Sequence, residues 1–318
     1  MRFADIALNL TDPMFAGTYH RHFKHPSDLD AVVSRARSAG VERMLITGTS
    51  LSETLRALEL AKRYDMWCTA GIHPTSISEI DAHPSGPEEY ISDLVKLIEE
   101  DRGQGGSKRI VSIGEVGLDY DRLDYSSAEA QRKHLPALLK LSRTFQLPLF
   151  LHSRTANAQC DLVSALHDVG WGKDWAGGVV HSFTGTMEEM REFVEMGFYI
   201  GINGCSLKTD ENLEVVRAVP LDRILLETDA PWCTPSASHA SSSYHPPSTS
   251  PLVMQKVSKP DKWKDGRGVK GRMEPAEIGI IAHMVATIRQ EPIEQLAEQV
   301  WKNSLRLFWP QDTIRNPT

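Results

Sequence analysis

The chain has 318 residues, 41% of them hydrophobic and 24% charged, with a formal net charge of −7 at pH 7. These values suit a globular protein with ample core and exclude a disordered one. The acidic balance also excludes a protein that coats nucleic acid by bulk charge, because such binding rests on Lys and Arg neutralising phosphates.

The length allows two ordinary domains or one large α/β barrel. In the opening MRFADIALNL, Asp5 and Asn9 interrupt any apolar stretch of secretory type, and no later run is apolar for some 18 residues, so a soluble intracellular protein of cytoplasm or nucleus is expected. Cys68, Cys160, Cys205 and Cys233 lie far apart and form no CxxC pair, which suggests reduced thiols.

In chain order, FADIALN at 3 to 9 reads as a first strand, and LDAVVSRARSAGV as a helix started by Ser27 and Asp28. RMLITGT at 43 to 49 is the second strand, followed by LSETLRALELAKRY with Thr49 and Ser50 as candidate caps. MWCTAGIH at 66 to 73 precedes PEEYISDLVKLIEE, whose Pro87 and early acids suit a helix N-terminus. IVSIGEV at 110 to 116, LPLFLHS at 147 to 153, GGVVHSF at 177 to 183, GFYIGIN at 197 to 203 and RILLETD at 223 to 229 complete eight strands. Most are continuous apolar runs, as strands buried on both faces of a parallel sheet are. Eight strands alternating with helices predict a single (β/α)₈ barrel over residues 1–318. A doubly wound sheet fits less well, since no glycine-rich fingerprint follows the first strand.

Residues 235 to 275 break this rhythm. PSASHASSSYHPPSTSP reads as an irregular loop, and the stretch from Lys256 to Arg272 carries seven Lys or Arg against two Asp. Helices resume with AEIGIIAHMVATIRQ and IEQLAEQVWKNSLRLF.

Ionisable residues stand at the ends of five strands: His73, Glu115, His152, His181 and Asp229. In a (β/α)₈ barrel those ends surround one mouth, where catalytic groups gather. Imidazole nitrogens and carboxylate oxygens bind divalent cations, and a carboxylate can bridge two, so a metal site with Glu115 at its centre is predicted. Asp119 and Arg122 are placed on the loop after strand four, Asp119 as a carboxylate that orients a ligand histidine or caps its own turn. Arg154, two residues beyond His152, belongs to the same rim, either for substrate oxygens or for a loop acid. The thiols of Cys205 and Cys233 have no base nearby in sequence, so a thiol nucleophile is not expected.

The fragments DIALNLTD at 5 to 12, TAGIHP at 69 to 74, IGEVGLDYDR at 113 to 122, LHSR at 151 to 154, VHSFTG at 180 to 185 and LLETDAPW at 225 to 232, in that order, resemble the TatD family of metal-dependent deoxyribonucleases over nearly the whole chain. The NLTD start and the basic insertion are similar to its eukaryotic branch, although Met273 stands where that branch commonly shows Asn. The resemblance implies Glu115, His152, His181 and Asp229 as metal ligands and His73 as a substrate-binding residue at the mouth. Related hydrolases open with Asp-x-His-x-His, whereas this chain has Asp5, Ala7 and Asn9, a loss the TatD branch shares. One or two ions are therefore expected, with Mg²⁺ or Mn²⁺ favoured over Zn²⁺.

The expected reaction is phosphodiester hydrolysis, with Asp229 taking the proton from water and His73 and Arg154 neutralising phosphate oxygens. The resemblance implies DNA as the substrate, as single strands or frayed ends, with 3′ to 5′ exonuclease polarity and RNA as a second substrate. Lys262, Trp263 and Lys264 would contact it, a base stacking on the indole while lysines track the backbone; the bland alternative is a solvated charged loop. Two other functions remain open: an amidohydrolase or esterase acting on a small substrate, and a silent DNA-binding scaffold. No membrane partner is expected.

Overall fold

The structure is a computed structural model, and it describes residues 1–103, 108–254 and 256–315. Eight strands are hydrogen-bonded in chain order in one sheet: β1 (Phe3–Leu8), β2 (Val41–Ile46), β3 (Trp67–Ala70), β4 (Ile110–Asp119), β5 (Leu149–Arg154), β6 (Gly178–Val180), β7 (Tyr199–Ile202) and β8 (Ile224–Leu226). This order, with helices between successive strands, is that of the (β/α)₈ class. Every expected strand is present, most of them shorter than the apolar run that marks them. β4 is the exception, since it continues to Asp119 and places Glu115 within the strand and Asp119 on its last residue. The expectation that strand four ends at Glu115, with Asp119 on the following loop, is thereby corrected.

The helices are α1 (Leu29–Ser38), α2 (Leu51–Tyr64), α3 (Pro87–Gly103), α4 (Ala128–Phe145), α5 (Ala156–Asp168), α6 (Met187–Glu195), α7 (Asp210–Ala218), α8 (Ile278–Arg289) and α9 (Ile293–Phe308), with a short terminal one at Pro310–Arg315. Side-chain caps start several of them. Ser50 accepts the Glu53 amide before α2, Ser127 that of Ala130 before α4, and Thr186 forms a reciprocal box with Glu189 before α6. Each such cap satisfies an amide left unpaired by the helix and is worth about 1 kcal/mol. Asp28 precedes α1 without capping it, because Arg272 engages both of its oxygens, at 2.8 and 2.6 Å. Among the described residues no helix is long and apolar enough to cross a membrane.

The chain falls into two compact units, Met1–Leu45 with Gly201–Ser304, and Ile46–Ile200 with Leu305–Thr318. In the first, Ile6 and Leu8 of β1, Val32 and Val33 of α1, and Ile281 and Val285 of α8 are buried. β1 meets the loop after β8 through a parallel bridge between Leu8 and Ala230, and Asp229 donates its amide to the Ala7 carbonyl. In the second, Phe150, Phe193 and Phe198 are fully buried, each such ring worth about 1.5–3 kcal/mol of transfer free energy.

Candidate metal centre

β4 supplies the unusual local geometry of the second unit. Its pairing with β5 runs Ile113 to Leu149, then Val116 to Leu151, Gly117 to His152 and Asp119 to Arg154, so one extra residue is accommodated around Gly114 and Glu115. A bulge of this kind re-aims a side chain. Two glycines make it sterically feasible. A Cβ on Gly114 would meet the Phe150 carbonyl at 2.4 Å, one on Gly117 the His152 carbonyl at 1.9 Å, and both residues hold positive φ, +157° and +150°. Alternate residues of a strand share a face, so Glu115, Gly117 and Asp119 point the same way, with the gap at Gly117 beside His152.

Glu115 Oε1 lies 2.7 Å from His152 Nδ1, 2.7 Å from His181 Nε2 and 3.4 Å from His73 Nε2. The other nitrogen of His152, Nε2, lies 3.2 Å from Asp119 Oδ2. The rings pack on one another, His73 edge-on to His152 at 4.6 Å and His181 stacked on Phe150 at 4.7 Å. Ligating atoms of Glu115, His152 and His181, and likewise of His73, Asp119 and His152, lie within 4.8 Å of one another, so either group could hold a metal ion.

The donor set fits a divalent cation. A neutral imidazole carries one proton, whereas His152 presents each nitrogen to a carboxylate. In a neutral ring one of those contacts sets a lone pair against an anionic oxygen, a conflict that a bound cation, or a second ring proton, resolves. His73 differs, since its Nδ1 accepts the Thr75 amide at 3.1 Å, which leaves the ring proton on Nε2, facing Glu115. Burial pushes the His73 imidazole down to about 4, against the opposing charge of Glu115. Burial alone would raise the Glu115 carboxyl, but the imidazoles of His181 and His73 and the bonds from His152 and His181 together hold it well below the usual carboxylate range. Asp119 is likewise raised by burial and brought below its ordinary value chiefly by His152.

Hydrogen bonds from neighbouring residues, Gln131 unexpected among them, support this cluster. Gln131 of α4 accepts the Asp119 amide at 2.8 Å and donates to the Asp119 carbonyl at 2.9 Å, fixing the end of β4. Glu115 donates its own amide to the Gly48 carbonyl. Arg154 donates to the Thr184 hydroxyl at 2.5 Å. The spacing of Glu115 and Asp119 on one strand face could have marked Asp119 as a potential ligand; nothing local in the sequence marks Gln131.

Asp229 lies in the first unit, three residues beyond β8, with φ at +55°. Asn9 donates to its Oδ1 at 2.8 Å, and the Cys233 thiol contacts Oδ2 at 3.3 Å. The Cys233 thiol is also hydrogen-bonded with the free thiol of Cys205, which, against burial, brings the Cys205 thiol down to about 7. Asp5, buried on β1, is bonded by the Thr228 hydroxyl at 2.6 Å and amide at 2.9 Å.

The basic insertion is also in the first unit. Lys262 and Lys264 are exposed, while the Trp263 ring stacks on His25 with centroids 5.2 Å apart and planes 8° apart. One face of the indole expected to receive a base is thus covered by a residue of this chain.

The family model described as TatD related DNase matches residues 18–309. Deoxyribonuclease Tat-D of Schizosaccharomyces pombe is 44% identical over 309 residues, covering 97% of this chain and 96% of its own length. The 3′-5′ ssDNA/RNA exonuclease TatD of Erwinia tasmaniensis is 35% identical over 309 residues, covering 96% of this chain and 98% of its own. Among solved structures, a Saccharomyces cerevisiae protein described as an uncharacterized amidohydrolase superposes with a TM-score of 0.87 at 31% identity, over 97% of this chain and all of that one.

Proposed function

The chain belongs to the TatD-related DNase family, and on that premise we propose that it is a metal-dependent nuclease of cytoplasm or nucleus that hydrolyses phosphodiester bonds of single-stranded DNA from the 3′ end, with RNA as a second substrate. The observation that carries this reading is His152, held between the carboxylates of Glu115 and Asp119 at 2.7 and 3.2 Å. Glu115, His152 and His181 would hold one divalent cation, with Asp119 within reach of a second; Mg²⁺ or Mn²⁺ suits an oxygen-containing set better than Zn²⁺ does. Asp229 is taken as a further ligand on its match to the family motif.

A cation held there would neutralise charge at the phosphate and let water be deprotonated to a nucleophile at neutral pH. The chain's own residues do the rest. Asp229, its carboxylate oriented by Asn9, accepts the proton of the attacking water as the new P–O bond forms and the bond to the leaving oxygen breaks, the leaving oxygen taking a proton from solvent. His73 directs its Nε2 proton, and Arg154 its guanidinium, at non-bridging oxygens. Lys262 and Lys264 track the strand's phosphates, with Trp263 between them.

The test is cleavage of 3′-labelled and 5′-labelled single-stranded oligonucleotides in EDTA and after addition of Mg²⁺, Mn²⁺ or Zn²⁺. Mononucleotides released from the 3′ end only with added metal are expected. Inactivity with every metal would overturn the proposal in favour of a small-substrate hydrolase or a scaffold.

A further inference from the structure

The loop after β1 carries a feature that the nuclease reading leaves unused. Residues 17 to 25 read GTYHRHFKH, and Thr18–Tyr19 pairs antiparallel with His22–Phe23 in a two-residue hairpin. His20 and Arg21 at its tip both hold positive φ, 49° and 65°. That conformation favours Asn-Gly, so the chain spends stability to keep two large side chains at the turn. All of His20, Arg21, His22, Phe23 and Lys24 are exposed, Phe23 to 69%, the highest among the large hydrophobic residues described.

The hairpin is rigidly backed. Tyr19 is buried beneath it, and its hydroxyl meets His25 Nε2 at 3.1 Å and Arg272 Nη1 at 3.4 Å. The base of the hairpin is joined to the insertion by the His25–Trp263 stack, by Lys24 to Asp261 at 2.7 Å, and by the buried Arg272 reaching Asp28. The insertion in turn bonds the loop that carries Asp229, Met273 donating its amide to the Pro231 carbonyl at 3.0 Å. Hairpin and insertion thus form one module on the strand ends that hold Asn9 and Asp229. Segments 20–24 and 256–270 together contain eight Lys or Arg against two Asp, in a chain whose net charge is −7. Local positive charge of this kind, interleaved with an exposed aromatic ring, is what a single strand needs: phosphate contacts along its backbone and a face on which a base can stack.

We propose that the Thr18–Lys24 hairpin is a strand-gripping element for single-stranded nucleic acid, with Phe23 as the base-stacking platform and Arg21 as a phosphate contact. Trp263, whose ring rests on His25, fastens the insertion to the hairpin. This rests on the nuclease reading and extends its footprint to a second loop. Stacking does not distinguish sugars, so DNA and RNA strands are gripped alike.

The experiment measures fluorescence anisotropy of labelled dT15 and rU15 with the full chain in EDTA. If the wild type needs a cation to bind, KM in Mn²⁺ is read instead. Phe23→Ala should weaken both strands by about five- to a hundred-fold, the range for losing one stacked base. On a strand of abasic sites it should have no effect. Arg21→Ala should lower the slope of log affinity against log salt by about 0.7. The double change His20→Asn with Arg21→Gly should raise the melting temperature while weakening binding. Melting temperature should stay unchanged in Phe23→Ala, which separates grip from folding. A wild type that binds and cleaves while Phe23→Ala and Arg21→Ala match it overturns the hairpin's role and leaves the nuclease reading intact. A wild type that neither binds nor cleaves with any metal overturns both.

Discussion

Replacing Glu115 by Gln removes one charge and almost no volume, and the structure indicates how the effect divides between folding and turnover. Glu115 is 5% exposed, and its Oε1 lies 2.7 Å from a nitrogen of each of two histidines. The carboxamide keeps one acceptor oxygen but turns an amino group into a crowd of imidazoles. Loss of one charge-assisted bond costs about 1.5–3 kcal/mol. Part of this is offset, because a buried anion no longer has to be desolvated. A net loss of no more than about 2 kcal/mol leaves the protein folded. Turnover should fare far worse. Removing an outer partner of a metal ligand costs about 10- to 100-fold, and removing a ligand should exceed the upper figure. Initial rates on the labelled oligonucleotide, Mn²⁺ titration by calorimetry and urea unfolding would be measured side by side. The expected result is a cooperative urea transition with a rate reduced more than about 100-fold and weakened Mn²⁺ binding. Activity within tenfold of wild type, with unchanged Mn²⁺ affinity, would remove Glu115 from the mechanism.

Gly117→Ala should destabilise by about 2 kcal/mol or more and weaken Mn²⁺ binding, because its Cβ would sit 1.9 Å from the His152 carbonyl at φ +150°; an unchanged urea midpoint would show that β4 and β5 separate at little cost. Glu277 gives a pH signature: burial first, then the charge of Glu274, pushes its carboxyl from 4.5 up to about 7. The folded state then holds this proton more tightly than the unfolded state does, so its contribution is full below pH 4.5 and is lost as pH rises through about 7. Its ceiling is about 3 kcal/mol, and Glu277→Gln should flatten that part of the stability profile measured by urea unfolding between pH 4.5 and 8; an unaltered slope would contradict it.

The strands were legible because burial on both faces writes itself as continuous apolar runs, and all eight appear within a few residues of those runs. Helix starts such as Ser50 were legible for an equally local reason, since the cap and its amide are three residues apart. The cluster was legible one residue type at a time, His and Glu standing where strands should end. What escaped depends on contacts distant in sequence. The reach of β4 to Asp119 follows from its pairing with β5, and the engagement of Asp28 by Arg272 spans 244 positions. The stacking of Trp263 on His25 is equally non-local, so the indole read from its lysine neighbours as a base platform has one face already in use.

The clasp between Met273 and Pro231, with Arg272 buried against Asp28 and Glu274, closes the long excursion after β8 at its root. The entropy of closing a flexible loop rises only with the logarithm of its length, about 0.6 kcal/mol for each doubling. Residues added at the exposed tip of the Ser- and Pro-rich stretch, about Pro247 to Thr249, therefore change the free energy of folding little while the root persists. The length of that tip is for that reason weakly constrained, whereas the cationic segment, fastened to His25 and Lys24, is not.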